Sequence, residues 1–328
     1  MLLLGIILTI AFSAISGCSN KKETTEGEKS GHVADTVKIG YVDVTGKAQI
    51  SDTLGIADDK GFLKEELDKI GVKAELIPFT GAGPAINEAL AGKNLDIGFL
   101  GDVPAIIGKA SGIDTQLIVA SGFTNSAALL VPTESNATSI KDLKGKKIAT
   151  QKGSFMHRIL VKMLEDNGLT VDDIEFVNMT AQDAASALIA KAVDGIVVGG
   201  VTQAKLVLDN NAKSILDCSK NPEWIGGSAG VARTEYVKEN PEIISALIKA
   251  LDRAKELSIS DATVSKTQWV KAGNSEKTYE FLYPNNDYRY DVEITPDFIN
   301  KFSDIEQFLV DNKLIKNSVD IEKWTKNN

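Results

Sequence analysis

The chain has 328 residues, of which 43% are hydrophobic and 25% charged, and its formal net charge at pH 7 is −9. This is the composition of a globular protein, and the length suits two domains better than a single core. An acidic chain repels phosphate backbones, so we expect no nucleic-acid partner.

The N-terminus predicts a leader and a tether rather than a folded domain. Residues 1–15 are almost wholly apolar, yet they are too few to span a bilayer comfortably. Ser16 and Gly17 precede Cys18, as small residues precede the lipidated cysteine of bacterial lipoproteins. We therefore expect a signal peptide over residues 1–17 and a polar, flexible tether over residues 18–36. Lipid on Cys18 would anchor the protein at the outer face of the cytoplasmic membrane, which is the periplasmic side in a cell with two membranes.

From residue 37 onward, apolar strands alternate with helical stretches, which indicates an α/β fold with parallel sheets. The expected strands are residues 37–41, 74–79, 95–100, 116–120, 128–131, 147–150, 174–178, 195–198 and 228–232. We predict two doubly wound lobes joined by a hinge with crossings near residues 122–127 and 224–230. The expected domains are lobe 1, residues 37–123 and 228–328, and an inserted lobe 2, residues 124–227.

Four predicted turns share one design, in which a strand is followed by small residues and then by a helix start. They are residues 79–84, 100–104, 151–154 and 179–182. Ligands of open α/β sheets bind beyond the carboxyl ends of the strands, and the free N–H groups of a helix start attract anions. A single such turn is an ordinary connection, but four of them across two lobes favour a cleft for an anionic ligand.

The sequence offers little for catalysis or metal binding. His157 is the single histidine after the tether, and Cys218 is the single cysteine after Cys18. These residues cannot make a metal cluster or an internal disulfide, and no serine lies in a GxSxG context. We therefore expect no cofactor, no metal and no enzymatic activity. His157 follows Ser154 by three residues, which would place both side chains on one helical face beside the ligand.

At these turns the sequence resembles the aliphatic sulfonate, taurine and nitrate binding proteins of ABC importers, a family that also includes thiamin-pyrimidine binders. The resemblance runs from about residue 37 to residue 248. It is carried by KIGY (38–41), EALAG (88–92), LDIG (95–98), GDVP (101–104), IKDLKGKKIA (140–149), KGS (152–154) with His157, VDG (193–195) and NPE (240–242).

The resemblance implies a type II periplasmic-binding fold that closes on a small organic anion. The protein would act as a monomer and deliver its ligand to an ABC permease and the ATPase of that permease. The ligand contacts implied are Asp43, Gln49, Thr80, Gly81, Gly83, Gly101 and Asp102 in lobe 1, and Ser154, Phe155, His157 and Gly200 in lobe 2.

Three segments differ from the pattern of the sulfonate binders and leave the ligand open. They are VPA at residues 103–105, where those proteins often have two prolines, GSFMHR at residues 153–158 and GIVVGGV at residues 195–201. Nitrate and a thiamin-pyrimidine precursor are alternative ligands, and a sensor for a membrane receptor is an alternative function. Fungal thiamin-pyrimidine synthases, which share this fold, are enzymes. Their chemistry needs several histidines and a cysteine-rich segment, which this chain lacks, so we do not expect that activity here.

Overall fold

The computed structural model describes residues 34–43, 46–218, 221–285 and 291–325, and all of them belong to one compact unit. The predicted signal peptide, Cys18 and nearly all of the tether lie outside the described residues. Among the helices that are described, none combines the length and the apolar character needed to cross a membrane.

The described residues contain ten strands in two five-stranded sheets. The strands are β1 (Thr36–Val42), β2 (Lys73–Phe79), β3 (Ile97–Gly101), β4 (Thr115–Ala120), β5 (Ala127–Pro132), β6 (Lys147–Thr150), β7 (Glu175–Asn178), β8 (Gly195–Gly199), β9 (Ala212–Asp217) and β10 (Ser228–Arg233). The first sheet has the order β2-β1-β3-β10-β4, and the second has the order β7-β6-β8-β5-β9.

The alternating pattern predicted parallel sheets, but both sheets are mixed. The strand β1 pairs in parallel with β2 and β3, and β6 pairs in parallel with β7 and β8. In contrast, β10 and β5 run antiparallel to both of their neighbours. Each of these two strands is entered directly from a crossing between the sheets, without the crossover helix that a parallel connection requires.

Thirteen α-helices are described and surround the sheets. They are α1 (Thr53–Asp59), α2 (Phe62–Asp68), α3 (Ala82–Ala91), α4 (Asp102–Ala110), α5 (Phe155–Glu165), α6 (Ala181–Ile189), α7 (Gly200–Leu208), α8 (Thr234–Glu239), α9 (Pro241–Ser260), α10 (Thr263–Lys271), α11 (Glu276–Leu282), α12 (Pro296–Asp311) and α13 (Ile321–Thr325). Proline at the first turn starts α9 and α12, where its missing N–H costs no helical hydrogen bond.

Apolar side chains cover both faces of the first sheet. On one face Ile39 belongs to the apolar cluster that includes Leu247 of α9, and on the other face Ile86 of α3 belongs to a cluster that includes Phe302 of α12. The second sheet has a core of its own, in which Ile159 of α5 is fully buried. Each large apolar side chain that is buried in this way stabilises the fold by about 1.5–3 kcal/mol. The type II periplasmic-binding fold therefore consists of two lobes, each built around one sheet.

Two extended segments cross between the lobes and pair with each other. The Asn125 N–H donates to the Gly226 carbonyl at 3.0 Å, and the Gly226 N–H donates to the Asn125 carbonyl at 2.9 Å. The Asn125 side-chain amide also donates to the Gly227 carbonyl at 2.7 Å. The crossings coincide with the predicted hinge. A rotation of one lobe against the other can therefore be absorbed by a small number of residues.

The lobe boundaries given above stay a prediction. The strand β10 lies in the first sheet and β5 to β9 lie in the second, as that division requires. However, Val201 of α7 packs against Trp269 and Tyr279 of the C-terminal helices α10 and α11. A segment that was assigned to lobe 1 therefore also contacts lobe 2.

Candidate ligand-binding cleft

A cavity of about 740 Å³, the cleft, lies between the two lobes. Its walls include the turns that follow β1, β2 and β3 of the first sheet and β6, β7 and β8 of the second. These are carboxyl ends of strands, where ligands of open α/β sheets bind. All four turns that were singled out from the sequence contribute lining residues, which include Thr80, Gly81, Gly83, Gly101, Pro104, Gln151, Gly153, Ser154, Thr180 and Gln182.

In lobe 1, the turn after β2 brings the start of α3 to the cleft. Gly81 precedes the helix without a side-chain cap, and Ala82 adopts a φ of 55°. Gly83 lets α3 approach α4 closely, because a Cβ at Gly83 would lie only 2.4 Å from the ring of Pro104. The first N–H groups of α3 are thus not occupied by a side-chain cap and lie at the lining of the cleft.

In lobe 2, the helix α5 begins at the cleft behind a tight turn. Gly153 has a φ of +75°, which favours glycine, and Ser154 is the N-cap with extended backbone. The Ser154 Oγ accepts from the His157 N–H at 3.3 Å and donates to the Gln151 carbonyl at 2.7 Å. This cap satisfies one N–H of the first turn and leaves the others at the lining of the cleft.

The helices α6 and α7 begin at the same cavity. Thr180 caps α6 and accepts from the Asp183 N–H at 3.2 Å. Gly199 precedes α7 without a side-chain cap, and a Cβ there would lie 2.2 Å from the Ser126 carbonyl oxygen. Gly200, at a φ of +55°, then starts the helix. Together with α3 and α5, four helix starts therefore face one cavity, and each carries partial positive charge.

Charged side chains also lie at the cleft, on both sides. Lys47 and Lys205 line it, as do Asp43 and Asp52. The Asp43 carboxylate accepts from the Gly46 and Ala48 N–H groups at 2.9 and 2.8 Å. The Asp52 carboxylate caps α1, and burial raises its pKa to about 6 despite the backbone N–H groups that it accepts from.

Eight of the eleven ligand contacts implied by the resemblance lie at the cleft. They are Asp43, Thr80, Gly81, Gly83, Gly101, Ser154, Phe155 and Gly200. Gln49, Asp102 and His157 do not line it. Gln49 is exposed on the loop that precedes α1, and the other two side chains are buried.

Asp102 belongs to the hinge and not to the cleft lining. Its side chain is fully buried, and its Oδ2 accepts from the Gly227 N–H at 2.6 Å, while its Oδ1 accepts from the Val103 N–H. Burial raises the pKa of Asp102, and nearby Arg158 partly opposes that rise. The Arg158 guanidinium itself donates to the Trp224 carbonyl at 2.6 Å. Both charged side chains thus hold the second crossing segment, one from each lobe.

His157 turns into lobe 2 instead of toward the cleft. Ser154, the N-cap of α5, lines the cleft but His157 does not, contrary to our expectation that both side chains lie beside the ligand. The imidazole packs on Phe176 of β7, with ring centroids 5.1 Å apart, and is only 6% exposed. Burial, with a smaller contribution from Lys152, lowers the pKa of His157 to about 4. A neutral histidine here serves packing.

Several residues that line the cleft were not among the ligand contacts predicted from the sequence. Asn125 and Ser126 come from the first crossing, and Trp269, Asn274 and Tyr283 come from the C-terminal helices. Trp269 and Tyr283 stack edge to face, with ring centroids 5.8 Å apart. Nothing in the spacing of these residues shows that the chain returns to the cleft.

Proteins named for sulfonate binding are similar to this chain. A Bacillus subtilis (strain 168) protein named for aliphatic sulfonates is 27% identical over 200 residues, which are 61% of this chain and 60% of the relative. An Escherichia coli (strain K12) protein of the same name is 29% identical over 197 residues, or 58% of this chain and 61% of the relative. The matches therefore span about three fifths of these relatives.

Solved structures share the fold over most of the chain. A periplasmic protein named for sulfonate binding, from Methylobacillus flagellatus KT, has a TM-score of 0.74 and 29% identity over 89% of this chain and 92% of its own. The alkanesulfonate-binding protein of Xanthomonas axonopodis pv. citri, solved with MOPS, has a TM-score of 0.75 and 22% identity, over 89% and 98% of the two chains. The family model described as NMT1/THI5 like matches residues 53–262, well over half of the sequence. The chain therefore belongs to the NMT1/THI5-like family.

Proposed function

We propose that this protein is the extracytoplasmic solute-binding component of an ABC importer and that it binds a small organic anion of the sulfonate type in the cleft. The observation that carries the proposal is the convergence of four helix starts, those of α3, α5, α6 and α7, on one cavity. Among the lining residues that the structure describes, none is an arginine. Backbone N–H groups, together with the lining lysines Lys47 and Lys205, would therefore supply the attraction.

Helix starts suit a sulfonate for two physical reasons. Each N-terminus carries about half a positive charge, and its first N–H groups point out along the helix axis. A sulfonate spreads one negative charge over three oxygens that point in different directions, so donors from two lobes can reach it at once. The α3 and α7 starts have no side-chain cap to compete with the ligand.

Contacts from both lobes also connect binding to closure. A ligand that touches α3 in lobe 1 and α5 to α7 in lobe 2 favours the closed arrangement by its extra contacts in that state. The paired crossings at Asn125 and Gly226 would act as the hinge. We propose that the permease recognises this closed form, and that lipid on Cys18 keeps the protein at the membrane.

A ligand screen tests the proposal directly. Thermal shifts and isothermal titration would compare methanesulfonate, taurine and longer alkanesulfonates with nitrate, carboxylates and thiamin pyrimidines. A ligand that binds only the native state stabilises it by about 2.7 kcal/mol at a hundredfold excess over Kd. Sulfonates should raise the melting temperature most at equal concentration. Nitrate, a carboxylate or a thiamin pyrimidine that binds more tightly than every sulfonate would refute the proposed ligand class.

A further inference from the structure

The C-terminal helices α10 and α11 form a rigid pair beside the cleft. The indole ring of Trp269 packs edge to face on Tyr279, with ring centroids 6.0 Å apart, as well as on Tyr283. Its N–H donates to the Thr278 hydroxyl of α11 at 3.1 Å. Aromatic packing and this hydrogen bond thus fix the two helices to each other. We call the pair, residues 263–283, the strap.

The strap is fastened to lobe 1 by polar contacts. The buried side-chain amide of Gln268 donates to the Ile50 carbonyl at 2.6 Å, in the loop that precedes α1. At the end of α10, the Lys271 ammonium pairs with the Asp59 carboxylate of α1. The helix α10 also contacts α9, which packs on the first sheet. We therefore expect the strap to move with lobe 1 as one body.

Toward lobe 2, the strap makes an apolar contact with α7. Val201, the second residue of α7, packs against Trp269 and Tyr279. Leu282 of α11 packs against the same two rings, and both Val201 and Leu282 line the cavity. Because α7 starts at Gly200, this contact adjoins one of the four helix starts at the cleft.

The strap differs from the crossing segments in how it joins the lobes. The crossing segments are continuous with both lobes, so they persist in every arrangement of the two. The strap is continuous with lobe 1 alone, and apolar packing against α7 can separate and re-form when the lobes rotate.

We propose that this packing is a clasp, formed by Val201, Leu282, Trp269 and Tyr279, which holds the two lobes together and has to open before a ligand leaves the cleft. The clasp requires no particular head group, so the inference goes beyond the proposed function.

Two matched pairs of variants test the clasp. On α11, Leu282→Ser removes a side chain of the clasp, and Phe281→Ser is its control, because Phe281 is 38% exposed and lies outside both the clasp and the cavity lining. On α7, Val201→Ser removes the partner, and Leu208→Ser is its control for the same reasons, since Leu208 is 45% exposed. Circular dichroism would confirm that all four variants are folded.

The first measurement needs no ligand. Small-angle X-ray scattering on the full chain gives the radius of gyration, which rises when the lobes move apart. Leu282→Ser and Val201→Ser should both have a larger radius of gyration than their controls and the unmodified protein.

The second measurement is the rate at which methanesulfonate dissociates, followed by stopped-flow tryptophan fluorescence. Dissociation should be about tenfold faster in either clasp variant, because burying about half of a large apolar side chain stabilises the closed arrangement by roughly that factor. The two controls should stay within about twofold of the unmodified protein. In the double variant of Val201 and Leu282, dissociation should be no faster than in the quicker single variant, because both changes break one contact.

Two results overturn the inference. If the clasp variants and their controls have equal radii of gyration, the strap does not hold the lobes together, whichever ligand binds. If the two effects on dissociation multiply in the double variant, Val201 and Leu282 act separately and form no common clasp. A failure of methanesulfonate to bind the unmodified protein would count against the proposed ligand class, and the scattering comparison would then decide on the clasp by itself.

Discussion

Replacing Ser154 by aspartate tests whether the start of α5 holds the anion. The side chain lines the cleft and caps the helix. Aspartate is as good an N-cap as serine and also favours the helix dipole, so the fold should persist. The added carboxylate would nevertheless stand beside the bound head group. Ser154→Asn caps equally well without the charge and is therefore the matched control.

The size of the effect follows from Coulomb's law. Two like charges at a separation of about 6 Å repel each other by about 3 kcal/mol at an effective dielectric constant of ~20. A penalty of that size raises Kd by about 100-fold. Isothermal titration with methanesulfonate should therefore show this loss for Ser154→Asp, whereas Ser154→Asn should stay within about threefold of the unmodified protein. Far-ultraviolet circular dichroism would confirm that both variants are folded.

Two results would refute this reasoning. Equal losses in the two variants would mean that the hydroxyl matters and that added charge does not, so the ligand would be neutral at this point. Unchanged affinity in both folded variants would remove the start of α5 from the site. The anion would then have to bind at α3 or at the uncapped start of α7.

Other predictions concern stability and anchoring. Folding raises the pKa of Asp52 from 3.8 to about 6, so the native state binds this proton more tightly, and stability should fall as the pH rises from about 4 to about 6. Melting temperatures across that range should show a flatter slope for Asp52→Asn, and an identical slope would contradict the assignment. Asp102→Ala leaves the Gly227 N–H without its acceptor and should cost about 1–3 kcal/mol in chemical denaturation, whereas an unchanged midpoint would exclude a role in holding the hinge. His157→Leu should change the Kd for methanesulfonate less than twofold, and a tenfold loss would return His157 to the site. Cys18→Ser should release the protein from membranes, and fractionation that finds it still membrane-bound would disprove lipidation.

Much of the fold could be predicted from the local sequence pattern. Nine of the ten described strands were expected within a few residues, because apolar runs bounded by glycine and polar residues mark buried strands. The strand β9 (Ala212–Asp217) was missed, since its alternating residues are only partly buried and lack a clear apolar run. The antiparallel direction of β5 and β10 could not be predicted from the sequence either, because it depends on the path of the chain between the lobes.

The candidate site was predictable where a turn and a helix start are adjacent in sequence. Gly81 and Ser154 were found in this way, and both line the cleft. Asp102 looked the same in sequence, yet its carboxylate turns back to the crossing segment, and that partner is 125 residues away. Trp269 could not be found by any local rule, because α10 reaches the cleft only through the return of the chain after the second crossing.

An acidic protein can still bind an anion, because attraction and repulsion act over different distances. The charges that sum to −9 are spread over the whole sequence, and at physiological salt their field is screened within about 8 Å. The N–H groups of four helix starts lie at the cleft itself, where a bound ligand excludes water and screening is weak. Within the cleft, the Asp43 carboxylate is already engaged by two backbone N–H groups. The N–H groups at the helix starts and the lysines Lys47 and Lys205 therefore act on a bound anion at short range, whereas most of the charge that the composition reports is screened.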